Sequence, residues 1–288
     1  MTIQERLRIP DLLERKAEGR RITMVTAYDY PTARLVEEAG IDVLLVGDSL
    51  AMVVLGHENT LSVTMEEMLH HARAVARGRR RSLLVADMPF MSYQASRRDA
   101  VRNAGRFVQQ AQADAVKVEG GRKRAGVVSA IVDAEIPVMG HVGLTPQAVQ
   151  RLGGYKTQGR TLARAEEILE DALAIERAGA FSLVLEAVPE EVGRLVTASV
   201  KIPTIGIGAG RHCDGQVLVF HDLIGLEQGH RPRFVRRYAS LRAPALEALA
   251  AFKREVEEGR FPSDQEVYRL EPEVARALLE RHGAGAHS

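Results

Sequence analysis

Eight short runs of aliphatic and β-branched residues recur through the first three-quarters of this 288-residue chain, and their order limits its fold more than any other feature. The runs are ITMVTAY (22–28), DVLLVG (42–47), SLLVAD (82–87), AVKVE (115–119), PVMGHV (137–142), SLVLEAV (182–188), PTIGIG (203–208) and QVLVF (216–220). Between most of them lie helical patterns such as TARLVEEAG, MEEMLHHARAVARG, RNAGRFVQQAQA and ARAEEILEDALAIERAG. Several close on glycine, a common helix stop. Near-continuous apolar strands separated by helices predict a parallel sheet covered on both faces. Eight such units predict an α/β fold of the (β/α)8 TIM-barrel type, which typically takes about 250 residues. The main alternative is a doubly wound open sheet, but TAYDYPTA after the first run has no glycine for a dinucleotide fingerprint.

The ends of the chain differ from this pattern. MTIQERLRIPDLLERKAEG reads as a short amphipathic helix carrying Leu7, Ile9, Leu12 and Leu13, without the apolar stretch of a secretory leader. Beyond about residue 228, FVRRYASLRAPALEALAAFKREVEEG predicts a helix, FPSDQEVYRLEPEVARALLERHG a turn and a last helix, and GAGAHS a disordered end. The expectation is one domain over 1–288, with a barrel core at about 21–228 and a C-terminal helical extension at about 229–282. The 39 basic and 38 acidic residues leave a formal charge of +1, so no global field favours nucleic acid or an anionic membrane. No run reaches the roughly 18 apolar residues that span a bilayer. Cys213 is the only cysteine, which excludes an intrachain disulfide and fits a reducing compartment. A soluble, cytoplasmic protein is expected.

Charged residues fall where the apolar runs end. Asp48 follows DVLLVG, Asp87 closes SLLVAD, Glu119 closes AVKVE and Glu186 lies near the end of SLVLEAV. Parallel barrels carry their active sites at the carboxyl ends of the strands. Side chains two apart share a strand face, so Lys117 and Glu119 are expected to project together while Val116 and Val118 pack outward. The same alternation groups Asp87 with Leu83 and Val85, and Asp48 with Leu44 and Val46. A single acidic residue at a strand end is more often a helix cap or a surface charge. Four of them at one barrel mouth would repel strongly unless something positive sat among them. Lys117 offsets one charge, and an all-oxygen set suits a hard divalent cation such as Mg²⁺. Nothing suggests zinc: His70 and His71 are adjacent on one helix and point to different faces.

At these residues the chain resembles the ketopantoate hydroxymethyltransferase (3-methyl-2-oxobutanoate hydroxymethyltransferase) family. The likeness runs from about Ile22 to about Pro262, through MVTAYDYPTA, VGDSLAMVVLGHENTLSVTMEEMLHH, ADMPFMSY, VKVEGG, PVMGHVGLTPQ, GGYKTQGR, LVLEAVP, IPTIGIGAGRHCDGQVLVFHDLIGL and FVRRYASL, in the family's order. The resemblance implies that Asp48, Asp87 and Glu119 hold one Mg²⁺ per subunit. Ser49 and Lys117 would hold the 2-oxo acid with that ion, Glu186 would be the catalytic base, and His141 would donate to substrate or orient Glu186. The implied reaction joins the one-carbon unit of 5,10-methylenetetrahydrofolate to 3-methyl-2-oxobutanoate through a Mg-stabilised enolate, giving 2-dehydropantoate for pantothenate biosynthesis. The family's habit of assembling into rings implies a homo-oligomer, commonly a decamer, with small-molecule partners and neither nucleic acid nor membrane.

Other residues have plainer readings. The GIGAG stretch, Gly206 to Gly210, is expected to be a tight strand-to-loop turn rather than a phosphate cradle. Tyr28 and Asp29 are expected to shape the pocket, Arg79–Arg80–Arg81 to form a solvated turn, and Met65 and Met68 to belong to the core. Cys213 has no paired base in view and is not expected to be a nucleophile. Two rival readings remain: a relative of phosphoenolpyruvate mutase or isocitrate lyase, and a catalytically silent barrel used as a scaffold. The lyases rely on a cysteine in KKCGH, whereas Cys213 lies in GRHCDG.

Overall fold

Each apolar run becomes a strand: β1 (Ile22–Thr26), β2 (Val43–Val46), β3 (Leu83–Asp87), β4 (Ala115–Glu119), β5 (Val138–Gly143), β6 (Ser182–Glu186), β7 (Thr204–Ile207) and β8 (Gly215–Leu218). Neighbours in sequence pair in parallel, and β8 returns to β1 with Met24 opposite Val217, which closes the barrel. The structure, a computed structural model, describes residues 6–226 and 232–283. The helices are α1 (Ile9–Ala17), α2 (Tyr30–Glu38), α3 (Leu50–Val53), α4 (Met65–Gly78), α5 (Arg97–Ala111), α6 (Ala125–Val132), α7 (Val149–Leu152), α8 (Leu162–Arg177), α9 (Glu190–Ser199), α10 (Phe220–Ile224), α11 (Arg242–Glu257) and α12 (Pro272–His282). Local chemistry sets their starts. Thr64 and Glu67 form a reciprocal capping box at the start of α4, and Ser96 and Thr161 cap α5 and α8 by accepting from backbone N–H groups.

Two-residue alternation along the strands produces two apolar layers. Met24, Val43, Leu45, Leu83, Val85, Ala115, Met139, Val184, Ile205 and Val217 cluster inside the barrel. Leu44, Val46, Leu84, Ala86, Val116, Val118, Leu183 and Leu185 belong to the outer cluster that packs under the helices, together with Met68. The inner layer is sealed at one end by Leu7 and Leu12, which join its cluster. Ion pairs pin α1 there: Arg15 to Asp42 at 2.6 Å and Lys16 to Asp214 at 2.7 Å. Leu13 on the same helix is exposed. Leu12→Ala is expected to remove about 2–5 kcal/mol of stability, read as a lower urea midpoint at unchanged slope.

Three expectations need correction. The helix expected from Phe234 begins at Arg242, because Phe234 and Val235 serve the barrel instead: Val235 is buried and the Phe234 ring lies against Gly208. The arginine triplet is not a solvated turn. Arg79 is buried and paired with Asp114, Arg81 donates to the Gly40 carbonyl at 2.7 Å, and Arg80 alone is exposed. Third, Asp48 does not share a face with Leu44 and Val46, as developed below. The chain divides into two compact units, Met1–Ala239 and Ser240–Ser288. The second holds α11 and α12, neither of which has a buried residue. Of the GAGAHS end, residues 284–288 lie outside the described residues.

Candidate active site at the barrel mouth

Above the inner apolar layer the strands change character, and their next inward side chains are charged. β3 delivers Asp87, β4 delivers Lys117 and Glu119, and β5 delivers His141, all buried. Register explains the convergence, since Asp87 lies opposite Lys117, and Glu119 opposite His141, on adjacent strands. Glu186 ends β6, opposite Gly143, and is partly buried.

Asp48 arrives by another route. Leu44 and Val46 face the outer helices, so alternation alone would turn Asp48 outward. β2 stops at Val46, however, and Gly47 and Asp48 turn before α3. That turn places the Asp48 backbone N–H 3.0 Å from Asp87 Oδ2. A β-carbon at Gly47 would come within 2.8 Å of Ser49 Oγ, so any side chain there would displace the Ser49 hydroxyl. Ser49 Oγ in turn shares a 2.9 Å hydrogen bond with the buried Tyr28 hydroxyl.

These groups enclose surplus negative charge. Lys117 Nζ lies 3.0 Å from Asp87 Oδ1, 3.7 Å from Glu119 Oε1 and 3.1 Å from His141 Nδ1. Burial opposes its charge, but Asp87, Glu119 and Asp48 outweigh burial and raise its pKa, so it stays an ammonium. Burial and the charges of Glu119 and Asp87 push the Asp48 carboxyl well above its ordinary value. Asp87 is also raised, by burial first, with Lys117 opposing. Burial would raise Glu119 as well, but its hydrogen bond with His141 and the Lys117 charge hold it below the usual range.

His141 lies between this cluster and Glu186, with Nε2 3.2 Å from Glu186 Oε2 but not aligned for a hydrogen bond. Burial and the Lys117 charge work against an imidazolium, but Glu119 and Glu186 outweigh them and push its pKa up to about 9. Since the Lys117 ammonium faces Nδ1, Nε2 is the nitrogen that carries hydrogen toward Glu186 when the ring is neutral.

Among the described residues, no three His, Cys, Asp or Glu side chains stand close enough to enclose a metal ion unaided. A ready-made cage is not what Mg²⁺ needs, because it commonly takes one or two carboxylates and keeps several waters. The donor set is chemically suitable: three buried carboxylates face one ammonium, and Asp87 Oδ1 has no partner aligned for a hydrogen bond. Asp48, Ser49, Asp87, Lys117, Glu119, His141 and Glu186 all line one cavity of about 1130 Å³.

The plainer candidates sort as follows. Asp29 is a helix cap, accepting from the Thr32 N–H at 2.8 Å, and does not line the cavity, whereas Tyr28 shapes it through Ser49. The GIGAG stretch is a turn: Gly208 and Gly210 take positive φ of 66° and 79°, and added β-carbons would meet Phe234 and Glu190. Cys213 is buried, and burial raises its thiol pKa. Sequence reasoning gave no role to Gln147 or Tyr93. Both stand in quoted family segments, but a search for charge at strand ends does not find a neutral amide in a loop.

Solved structures with a similar fold include a phosphonopyruvate hydrolase, with a TM-score of 0.60 at 15% identity, covering 95% of this chain and 98% of that one. A 2,3-dimethylmalate lyase of the phosphoenolpyruvate mutase/isocitrate lyase superfamily gives 0.57 at 17% identity, covering 96% and 99%. At such identities the likeness is one of fold. Sequence similarity goes further. A curated 3-methyl-2-oxobutanoate hydroxymethyltransferase of Koribacter versatilis is 55% identical over 269 residues, 93% of this chain and 91% of the relative. That of Carboxydothermus hydrogenoformans is 54% identical over 274 residues, 95% and 99%. The family model described as ketopantoate hydroxymethyltransferase matches residues 6–264. The chain belongs to the ketopantoate hydroxymethyltransferase family.

Proposed function

We propose that this chain transfers a hydroxymethyl group from 5,10-methylenetetrahydrofolate to 3-methyl-2-oxobutanoate, giving 2-dehydropantoate in pantothenate biosynthesis, with one Mg²⁺ per subunit. Family membership supports a hydroxymethyltransferase at the coarser level. One observation carries the finer reading: a buried three-carboxylate cluster with one lysine shares a cavity with a separate carboxylate, Glu186, beside His141.

Asp48, Asp87 and Glu119 would hold the ion. When bound, it supplies Lewis-acid charge that makes the C3 proton of a chelated 2-oxo acid more acidic. Ser49, fixed by Tyr28, is positioned to donate to a substrate oxygen, and Lys117 adds a point charge for the substrate carboxylate. Glu186 takes the C3 proton, with the His141 ring beside its carboxylate, Nε2 3.2 Å from Oε2. Water opens one carbon–nitrogen bond of the folate's methylene bridge and supplies the hydroxyl oxygen. The second carbon–nitrogen bond breaks as the carbon is released at the formaldehyde level, with both nitrogens protonated by that water. The electron pair left at C3 bonds to this carbon, while the proton taken by Glu186 completes the hydroxyl. Tetrahydrofolate leaves. A cavity of about 1130 Å³ is far larger than a five-carbon acid needs, which supports a second, bulky substrate.

An NMR assay with 3-methyl-2-oxobutanoate, tetrahydrofolate, formaldehyde and Mg²⁺ tests this reading. Hydroxymethyl product is expected in that mixture and not when EDTA is in excess or the folate is omitted. Product formation by folded, metal-loaded protein is required, and its absence would transfer the case to a lyase, a mutase or a silent scaffold.

The proposal includes a cytoplasmic homo-oligomer, a decamer by family likeness. No described helix is long and apolar enough to cross a membrane. Leu246, Leu249, Phe252 and Val256 are exposed along α11, which supports self-association, and sedimentation velocity reads the stoichiometry.

A further inference from the structure

After β5 the chain makes a single tight turn, Pro146–Ala148, with proline at its first position, where its missing N–H costs no hydrogen bond. The turn buries Gln147 among the carboxylates. Its backbone N–H donates to Glu119 Oε2 at 3.0 Å. Its side-chain Nε2 donates to Asp48 Oδ2 at 2.9 Å and to the Met88 carbonyl at 2.9 Å. Its Oε1 accepts from the Tyr93 hydroxyl at 2.6 Å and from Gln94 Nε2 at 3.0 Å. Both amide hydrogens and both oxygen lone pairs are therefore used, and rotating the amide by half a turn would set donors against donors and acceptors against acceptors. Tyr93 extends the lock, because its hydroxyl also accepts the Glu119 backbone N–H at 3.2 Å.

One neutral residue thus holds Asp48, which has left its strand, in register with Glu119 on β4. It also adds no charge. An acidic or basic residue here would alter the charge that the cluster presents, whereas an amide fixes positions without doing so. We infer that Gln147 is the positioning residue that sets the geometry of Asp48 and Glu119 as cation ligands, with Tyr93 locking its amide. The inference rests on the proposed Mg²⁺ site. Partners that orient ligand carboxylates typically contribute about 10–100-fold to metal affinity.

The test is Mn²⁺ binding to metal-free protein, read by electron paramagnetic resonance of the unbound ion, with circular dichroism to establish folding. Gln147→Met keeps nearly the same volume and removes every side-chain hydrogen bond. Its Kd for Mn²⁺ is expected to rise about 10–100-fold. A merely structural role would lower thermal stability without moving Kd. A folded Gln147→Met protein with wild-type affinity overturns the inference. If that variant does not fold, Tyr93→Phe decides, since it leaves Gln147 in place and unlocks its amide. Weaker Mn²⁺ binding supports the inference and unchanged binding overturns it. Wild-type protein that binds no Mn²⁺ would instead remove the metal reading itself, and this inference with it.

Discussion

Glu186→Gln is expected to lower turnover by about 10²–10⁴-fold while leaving the fold and Mn²⁺ affinity close to those of the wild type. Glutamine has the same shape, and its amide oxygen can still face the His141 Nε2–H now 3.2 Å from Glu186 Oε2. What it loses is the capacity to take a proton. Glu186 is not among the three carboxylates around Lys117, so the charge there is unaltered. Two readouts separate the roles. The first is loss of the C3 proton signal of 3-methyl-2-oxobutanoate in D₂O with Mg²⁺ and no folate, and the second is full product formation. Both are expected to fall together. Exchange at the wild-type rate in the variant would show that another group removes the proton. Loss of product with exchange intact would move Glu186 to the one-carbon step.

Legibility in the sequence followed physical range. The strands were readable because β1 to β6 are apolar on both faces, one toward the barrel interior and one toward the helices, and β7 and β8 still carry apolar Ile205 and Val217 inward. Asp87, Lys117 and Glu119 were readable because they sit on the strands themselves, where two-residue alternation still governs direction. Alternation failed at Asp48 for the same reason in reverse, since β2 ends two residues earlier and Gly47 redirects the chain. Its place at the end of an apolar run, and the family resemblance, assigned Asp48 to the cluster independently of its face. Gln147 and Tyr93 were illegible as functional residues because their importance lies in hydrogen bonds made 54 residues apart in sequence. Neither charge nor periodicity marks them. The position of Phe234 and Val235 was also hidden, because a helical pattern reads the same whether its apolar residues pack within their own helix or against a neighbouring barrel.

Asp48→Asn is expected to reverse the ranking of stability with and without metal. In metal-free protein the Asp48 carboxyl has a folded-state pKa well above its ordinary value, because it is buried beside Glu119 and Asp87. An unfolded aspartate titrates near 3.9. A raised folded pKa means that the folded state holds the proton more tightly, so this group's favourable contribution is complete below about pH 4. It is lost progressively as pH rises through the folded value. Asparagine never acquires the charge, and its oxygen can still accept from Gln147 Nε2, which now donates to Asp48 at 2.9 Å. Metal-free Asp48→Asn protein is therefore expected to gain on the wild type as pH rises from 4 to 8, reaching an advantage of about 1–2 kcal/mol by urea unfolding, since an uncompensated buried charge carries a net cost. Metal inverts the order. An ion present at 100 times its Kd stabilises the wild type by about 2.7 kcal/mol. The variant, having lost a proposed ligand, is expected to bind more than about 100-fold more weakly, beyond the usual loss of an orienting partner. The observation that would sink this account is a metal-free variant that loses ground to the wild type as pH rises, or one that keeps wild-type Mn²⁺ affinity. The first would mean that Asp48 is stabilised as an anion by the folded protein alone, and the second that the ion is held elsewhere.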